Sequence, residues 1–228
     1  MIRMFMRFLF NPGTIGTISP SSSALAQAMV RQIGKEETVF EIGAGTGAIT
    51  RHLQRIEQLG PLVVFEQDHQ LAEYLRRRVG VAHVVEGYFH DTVAGVGDVV
   101  GALVIVSSLP FRSLPAPLRV QTVDAICERL LASPGSRLIQ YTYFDRPPFV
   151  PSHRSLRWQR VARVWANVPP ATVWELCAEP VTRKFEYIDA RRRDEQRVGA
   201  SRLPELTGRL ETVSLDEVRK PRYGDKAA

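Results

Sequence analysis

The chain has 228 residues, of which 44% are hydrophobic and 24% are charged, a composition typical of a globular protein. This length accommodates one well-packed domain with additions, or two very small domains. No stretch reaches the ~20 apolar residues that a membrane-spanning helix requires. A formal net charge of +6 indicates an anionic partner, either nucleic acid or an acidic membrane surface, unless it serves only solubility.

The N-terminal segment combines aromatic and basic residues. Arg3 and Arg7 lie on one face of a possible helix, and Phe5 and Phe8 are among the apolar residues around them. This pattern predicts an amphipathic helix over residues 1–12 that lies on a membrane surface without crossing it. The alternative is a cap whose apolar face packs on the domain, since both require the same apolar stripe. The segment lacks a small-residue cleavage site, so we expect a cytoplasmic protein, bound peripherally to the inner face of the cytoplasmic membrane.

Strands alternate with helices along the next part of the chain. Pro20-Ser21-Ser22-Ser23 provides helix-start chemistry for a first helix, and further helices are predicted over 69–79 and 117–132. The predicted strands cover residues 38–42, 62–65, 81–85, 102–106, 138–144, 157–167 and 172–178.

This order predicts an α/β fold with a doubly wound, mostly parallel, seven-stranded sheet and a C-terminal antiparallel hairpin. The last two strands form the hairpin, joined across Asn167-Val168-Pro169-Pro170. We assign residues 13–179 to this domain. Residues 180–228 are rich in charges of both signs and poor in apolar residues, so we expect a tail that is partly ordered at best.

The cysteines and histidines do not form a metal-binding pattern. Cys127 and Cys177 are far apart in sequence, and the five histidines include no H-x-x-x-H pair. We predict two reduced, mostly buried thiols and no bound metal.

A glycine-rich turn follows the first strand. Gly43-Ala44-Gly45-Thr46-Gly47 lets the backbone turn tightly and leaves room for a nucleotide-bearing ligand against bare main chain. The spacing fits the E-x-G-x-G-x-G turn of S-adenosylmethionine (SAM) enzymes, but it also satisfies a loose dinucleotide fingerprint.

Two acidic residues flank this turn. Glu66 ends the second strand, where a carboxylate accepts hydrogen bonds from ribose hydroxyls in either class of enzyme. Gln67 follows it. Glu41 distinguishes the classes, because a nicotinamide fold usually keeps a hydrophobic residue at this position and a buried carboxylate needs a partner. Glu41 therefore favours SAM, and a carboxylate satisfied by neighbouring backbone N–H groups is the alternative.

Three more strand ends supply candidate residues at the same edge of the sheet. Gly87-Tyr88 ends the third strand, where the tyrosine could stack on adenine or belong to the core. Ser107-Ser108-Leu109-Pro110-Phe111 ends the fourth, at the position of the polar-x-Pro-aromatic turn of amino-methylating enzymes, unless it is a plain proline turn. Tyr141 and Tyr143 leave the fifth strand on one face, towards the same crevice or the neighbouring helix.

Several segments of the chain resemble the bacterial phospholipid N-methyltransferases, a family related to the rRNA adenine dimethyltransferases. The similar segments are Asn11 to Gly16, Ser19 to Ser22, Glu41 to Gly47, Ser107 to Pro110, Gln140 to Tyr143 and Asn167 to Ala171. The resemblance implies a class I SAM fold and methylation of phosphatidylethanolamine towards phosphatidylcholine, with S-adenosyl-L-homocysteine as the other product.

Site residues follow from the same resemblance. It implies cofactor binding by Glu41, Gly43, Ala44, Gly45, Gly47, Glu66, Gln67, Gly87, Tyr88 and Ser107. It implies substrate binding by Ser21, Ser22, Leu109, Pro110 and Phe111, and catalysis by Ser108, Tyr141 and Tyr143. Two residues depart from the pattern: Tyr88 replaces an acidic residue beside adenine, and Ser108 replaces a glycine.

Three alternatives remain open. Methylation of RNA adenine suits the basic charge, but that chemistry favours Asn in the fourth-strand turn, and the known RNA enzymes carry a helical C-terminal domain. Both points argue against a nucleic acid partner. The second alternative is another amine, such as an ornithine lipid or a small secondary metabolite. The third is a non-catalytic protein that binds SAM or lipid.

Overall fold

The computed structural model describes residues 20–81, 83–99, 101–167, 169–178 and 186–188. The predicted helix at 1–12 and nearly all of the predicted tail at 180–228 lie outside these residues. Among the helices that the model describes, none is long and apolar enough to cross a membrane.

Eight strands form a single sheet in the order β3-β2-β1-β4-β5-β7-β6-β8. Strands β1 to β5 pair in parallel, whereas β7 is antiparallel to both β5 and β6. The strands are β1 Thr38–Ile42, β2 Leu62–Glu66, β3 Val84–Glu86, β4 Leu103–Ser107, β5 Arg137–Thr142, β6 Arg157–Val164, β7 Ala171–Cys177 and β8 Glu186–Ile188. This is the predicted doubly wound sheet with its antiparallel hairpin.

One helix precedes β1, and four further helices connect the parallel strands. In chain order, the helices are α1 Pro20–Val30, α2 Thr50–Leu53, α3 His69–Tyr74, α4 Phe89–Thr92 and α5 Ala116–Ala132. Helix α3 continues as a π-helical turn over Leu75–Val79 and ends at Gly80, whose φ of +73° is left-handed.

The two faces of the sheet bury separate apolar clusters. On β1, Phe40 packs in the cluster that includes Ile126 of α5, whereas Val39 packs in the cluster that includes Met29 of α1. Successive side chains of a strand point to opposite faces, so a parallel strand covered on both sides must be apolar throughout. Glu41 is therefore the exception in β1.

The structure departs from the predicted strands in two places. The strand expected over 81–85 begins only at Val84, because Val81 follows the left-handed Gly80 and packs against Val64 and Leu75 before pairing starts. In addition, β8 adds an eighth strand within the charged segment that was expected to be partly ordered at best, where it pairs in parallel with β6. Its pairing depends on a neighbouring edge and not on apolar periodicity.

Arg137 lies at the centre of a buried polar cluster at the amino end of β5. Its guanidinium is 2.7 Å from Glu37, donates to the backbone oxygen of Gln32 at 2.7 Å, and lies 3.5 Å from Glu175 of β7. One side chain thus connects the segment after α1, the approach to β1, and strands β5 and β7.

Candidate functional site

The glycine turn lies at the carboxyl edge of the sheet, directly after β1. Gly43, Gly45 and Gly47 have φ angles of +72°, +56° and +78°, a region that residues with a Cβ rarely adopt. The Gly45 N–H donates to Glu66 at 2.8 Å, which fixes the turn to the end of β2. Ala44, by contrast, packs its methyl group in the core against Val64.

Glu41 is buried beneath this turn, with only 1% of its surface exposed. Neither of its carboxylate oxygens has a hydrogen-bond partner within bonding geometry. Burial is the main cause that raises the pKa of Glu41 from 4.5 to about 7; the hydroxyl and backbone N–H of Thr50 oppose this rise, and the negative charge of Glu66 contributes to it. A buried acid with unused acceptors at this position is available to a cationic or hydrogen-bond-donating ligand.

Glu66 organises the second edge of the site. One of its oxygens accepts from Gly45 and the other accepts from the Asp68 N–H at 3.0 Å. Burial raises the pKa of Glu66, and these backbone donors oppose that shift. The Gly87 N–H donates to the backbone oxygen of Glu66 at 3.0 Å, which brings the end of β3 alongside. Gln67 and Tyr88 are exposed beside it.

The turn after β4 contacts the glycine turn. The Ser108 hydroxyl donates to the backbone oxygen of Gly43 at 2.6 Å, and the fully buried Ser107 accepts from the Leu109 N–H at 3.2 Å. A Cβ on Gly43 would lie 2.7 Å from Leu109 Cδ2, so only glycine leaves this approach open. The structure therefore brings together the glycine turn, Glu41, Glu66 and the turn at 107–110.

Gln140 and Thr50 belong to this site, although the site residues predicted from the sequence did not include them. The Gln140 side-chain amide donates to the backbone oxygens of Leu109 at 3.2 Å and Tyr141 at 3.1 Å, and its own buried carbonyl oxygen has no partner. Gln140 could have been identified from the sequence, because it is a polar residue inside an otherwise apolar strand. Thr50 could not, since a threonine at a helix start is ordinary.

The two tyrosines lie on the other face of β5 from Gln140. Their rings are 5.6 Å apart at an interplanar angle of 74°, and both pack on the cluster beneath α1. Burial raises the pKa of Tyr141, and Tyr143 raises it further. Burial thus favours the protonated form of the Tyr141 phenol.

The remaining predicted site residues are buried in the core, partly exposed, or outside the described part of the chain. Phe111 lies in the core at 1% exposure, with its ring 4.6 Å from that of Phe149, so it supports the turn from below and offers no surface to a substrate. Leu109 and Pro110 are partly exposed. Ser21 and Ser22 lie in the first turn of α1, and their side chains fall outside the described part, as do Arg3, Phe5, Arg7 and Phe8.

Cys127 and Cys177 are both buried and form no disulfide with each other, as predicted. In the part of the chain that the model covers, no three His, Cys, Asp or Glu side chains come together in a way that could hold a metal ion.

Comparison with known proteins identifies the family. A family model described as ribosomal RNA adenine dimethylase matches residues 6–94. An ornithine lipid N-methyltransferase from Singulisphaera acidiphila is 32% identical over 142 residues, which cover 58% of this chain and 73% of that enzyme. The chain belongs to the family of SAM-dependent methyltransferases that includes this enzyme. SAM is the cofactor of the family.

Other relatives widen the range of substrates. The ribosomal RNA small subunit methyltransferase A of Thermotoga petrophila is 28% identical over 141 residues, covering 56% of this chain and 53% of that enzyme. This chain thus spans about half the length of that relative. The expectation that excluded nucleic acid is not supported, because relatives of this name act on ribosomal RNA.

Solved structures agree with the fold. A TehB-like SAM-dependent methyltransferase from Corynebacterium glutamicum has a TM-score of 0.51 at 14% identity, covering 78% of this chain and 97% of that one. The N-methyltransferase NodS from Bradyrhizobium japonicum, solved with S-adenosyl-L-homocysteine, has a TM-score of 0.51 at 13% identity, covering 76% and 96%.

Proposed function

We propose that this methyltransferase transfers a methyl group from SAM to the primary amine of a membrane lipid, acting at the membrane surface. The single observation that supports this substrate class most strongly is the ornithine lipid N-methyltransferase, which the chain covers over 73% of its length. Phosphatidylethanolamine, the substrate implied by the sequence resemblance, and an ornithine lipid both present a primary amine on an amphiphile. We retain phosphatidylethanolamine as the first candidate and ornithine lipid as the second.

The residues of the site fit SAM. Three glycines with positive φ provide bare backbone, and Glu66 is held in place with acceptor capacity left for ribose hydroxyls. Glu41 supplies a buried carboxylate next to Thr50 whose oxygens have no partner within strict hydrogen-bond geometry. SAM, when bound, supplies an electrophilic methyl group on a positively charged sulfur.

The chain's own residues must prepare the amine. A lipid amine with a pKa near ~10 is mostly protonated at neutral pH and cannot attack until it loses a proton. An apolar surrounding lowers the pKa of an amine, so burial at the sheet edge favours the reactive neutral form. The Ser108 hydroxyl donates a hydrogen bond to the backbone oxygen of Gly43, so its lone pairs can accept a hydrogen bond from an amine N–H.

Alignment is the main contribution expected from this site, because the methyl donor is already reactive. The Leu109 carbonyl, held by the Gln140 amide, is a second fixed acceptor beside Ser108.

A second candidate is methylation of adenine in RNA. The relatives named ribosomal RNA small subunit methyltransferase A and the net charge of +6 both favour it. Against it, the turn after β4 carries Ser107-Ser108 in place of the Asn that this chemistry favours. An observed transfer to ribosomal RNA would reverse our choice.

A direct assay separates the candidates. Purified full-length protein is incubated with methyl-labelled SAM and, in parallel, with vesicles containing phosphatidylethanolamine, vesicles containing ornithine lipid, or small-subunit ribosomal RNA. Mass spectrometry then counts the methyl groups on each acceptor. We expect methylated phosphatidylethanolamine. Label found only in ornithine lipid would make ornithine lipid the proposed substrate in place of phosphatidylethanolamine. Label found only in RNA would overturn the proposal.

The proposed location at the cytoplasmic membrane depends on the N-terminal segment. Removal of residues 1–10 is expected to release the protein from vesicles of anionic lipid in a sedimentation assay. Unchanged sedimentation would mean that the segment is a cap on the domain and not a membrane-binding helix.

A further inference from the structure

Arginines and aromatic rings pair on one side of the antiparallel part of the sheet. The Arg112 guanidinium lies 5.7 Å from the ring centre of Phe144, and Arg163 lies 5.2 Å from the ring centre of Trp165. Arg160 lies 5.2 Å from the ring of Trp174, which is itself buried. We refer to Arg112, Phe144, Arg160, Arg163 and Trp165 as the arginine–aromatic surface.

A β-bulge creates this surface. Arg160 and Arg163 are three residues apart on β6, a spacing that in a regular strand would put them on opposite faces. The register of β6 against β7 shifts between Arg160 and Ala162, so Arg160 lies opposite Trp174 and Arg163 lies opposite Thr172. Trp174 and Thr172 share one face of β7, and the bulge therefore turns both arginines to that face.

The surface is continuous with the candidate site. On β5, Gln140 lies opposite Trp174, and Thr142 lies opposite Thr172. The Trp174 indole N–H donates to the Thr142 hydroxyl at 2.9 Å, and that hydroxyl donates to the backbone oxygen of Phe144 at 2.5 Å. The same face of the sheet thus runs from the Gln140 that holds the turn after β4 out to the two arginines of β6.

Exposure and charge identify the partner that this surface fits. Phe144 is 63% exposed and Trp165 is 52% exposed, which is unusual for large apolar rings on a soluble face. Arg112, Arg160 and Arg163 bring positive charge to this surface, and among its described residues the Asp145 carboxylate lies 3.1 Å from Arg160. Exposed aromatic rings beside arginines match the interface of an anionic bilayer. There, aromatic rings enter the lipid head-group layer and guanidinium groups contact lipid phosphates.

We propose that the arginine–aromatic surface docks the enzyme on an anionic lipid bilayer, with the carboxyl edge of the sheet next to the head groups. The inference rests on the proposed lipid substrate and deepens it, because it names a second contact with the membrane besides residues 1–12. RNA is the rival occupant. The experiment below includes RNA so that the two occupants are distinguished.

Labels at single positions test this orientation in the full-length protein. Both native cysteines are buried, so an environment-sensitive fluorophore reacts selectively at Phe144→Cys or Trp165→Cys. Leu131→Cys is the matched control, since Leu131 is 40% exposed at the end of α5, towards the opposite edge of the sheet. With vesicles of equal phosphatidylcholine and phosphatidylglycerol, we expect a blue shift of emission at positions 144 and 165 and none at 131.

Charge variants give an independent measurement. Arg112→Gln and Arg163→Gln should each weaken partitioning onto the anionic vesicles about fivefold, whereas the exposed Arg31→Gln at the other edge should change it by less than about twofold. Vesicles of pure phosphatidylcholine should bind all of these proteins weakly, because they lack the negative surface.

Each contrary outcome has a defined meaning. Absence of a blue shift at 144 and 165 overturns the inference, and a shift produced by an RNA oligonucleotide but not by vesicles replaces the bilayer with RNA. Methyl transfer to phosphatidylethanolamine dispersed in detergent is measured alongside, because it does not need docking. Transfer without label shifts defeats the docking inference alone, and label shifts without transfer to any lipid defeat the proposed function alone.

Discussion

At the scale of single residues, Glu41 is the group that makes the site depend on pH. Its pKa of about 7 means that the folded state keeps a proton that the unfolded chain releases near pH 4.5. The stability of the folded protein without cofactor should therefore decrease as the pH rises from 4.5 to 7 and level off above 7. The total loss corresponds to about 3 kcal/mol.

Glu41→Gln should remove this pH dependence, because the amide does not titrate. Urea unfolding at pH 5 and pH 8 measures this pH dependence. From pH 5 to pH 8, the free energy of unfolding of the variant should rise by about 2–3 kcal/mol relative to that of the wild type. Glu57→Gln, at an exposed position, serves as the control and should follow the wild type. Parallel curves for the wild type and Glu41→Gln would show that Glu41 does not titrate in this range.

A second prediction concerns Gly43 and separates the effect of backbone strain from the effect of steric contact. Gly43→Ala and Gly80→Ala both place a Cβ at a φ near +70°, so each should cost about 1–2 kcal/mol of stability. Only the Cβ at position 43 meets another group, Leu109 Cδ2, whereas nothing lies within 4 Å of one at position 80. Displacement of Leu109 should therefore weaken SAM binding about tenfold in Gly43→Ala alone.

Calorimetric titration with SAM measures this difference. Leu109→Ala added to Gly43→Ala creates the missing space and should recover part of the affinity. Equal losses of affinity in Gly43→Ala and Gly80→Ala would mean that strain, and not the contact with Leu109, limits binding.

At the scale of elements, the contact between β5 and the turn after β4 depends on one amide. Gln140→Glu keeps the shape but replaces the donor to the Leu109 and Tyr141 carbonyls with a carboxylate oxygen. We expect a loss of about 1–3 kcal/mol in stability and a fall in kcat for methyl transfer, since the turn that carries Ser108 loses its support. Gln54→Glu is the control, because Gln54 also donates to backbone oxygens but at an exposed position. A lower kcat in Gln54→Glu of the same size would exclude a specific role for Gln140.

The elements also show how far the sequence predicts the structure. Buried parallel strands such as β1 and β4 are continuous apolar runs bounded by glycine or serine, and local pattern suffices to find them. Strand β8 and the start of β3 are set by pairing with neighbours distant in sequence, which no local pattern encodes. The glycine turn and Glu66 were predictable from spacing, whereas the link from Gln140 to Leu109 depends on how two strand ends meet in space.

At the scale of the whole molecule, Arg137 joins parts of the chain that are about 100 residues apart in sequence. Arg137→Met removes the cation shared by Glu37 and Glu175, and both carboxylates lose this charge partner in a buried cluster. Loss of one partner from a buried ionic network typically costs about 3–5 kcal/mol. We expect a loss of this size in urea unfolding. Arg160→Gln, which removes an exposed ion pair, should cost at most about 1 kcal/mol.

A compensated variant distinguishes the charge from the volume of this side chain. Adding Glu37→Gln and Glu175→Gln to Arg137→Met neutralises the two acids and should restore a large part of the lost stability, because the penalty arises from uncompensated charge. Calorimetric SAM affinity is the parallel measurement, and it should stay unchanged, since the cluster lies at the amino end of the sheet and the glycine turn lies at the carboxyl end. If the triple variant remains as unstable as Arg137→Met, the contribution of Arg137 comes from packing between α1, β5 and β7, and the ionic explanation is wrong.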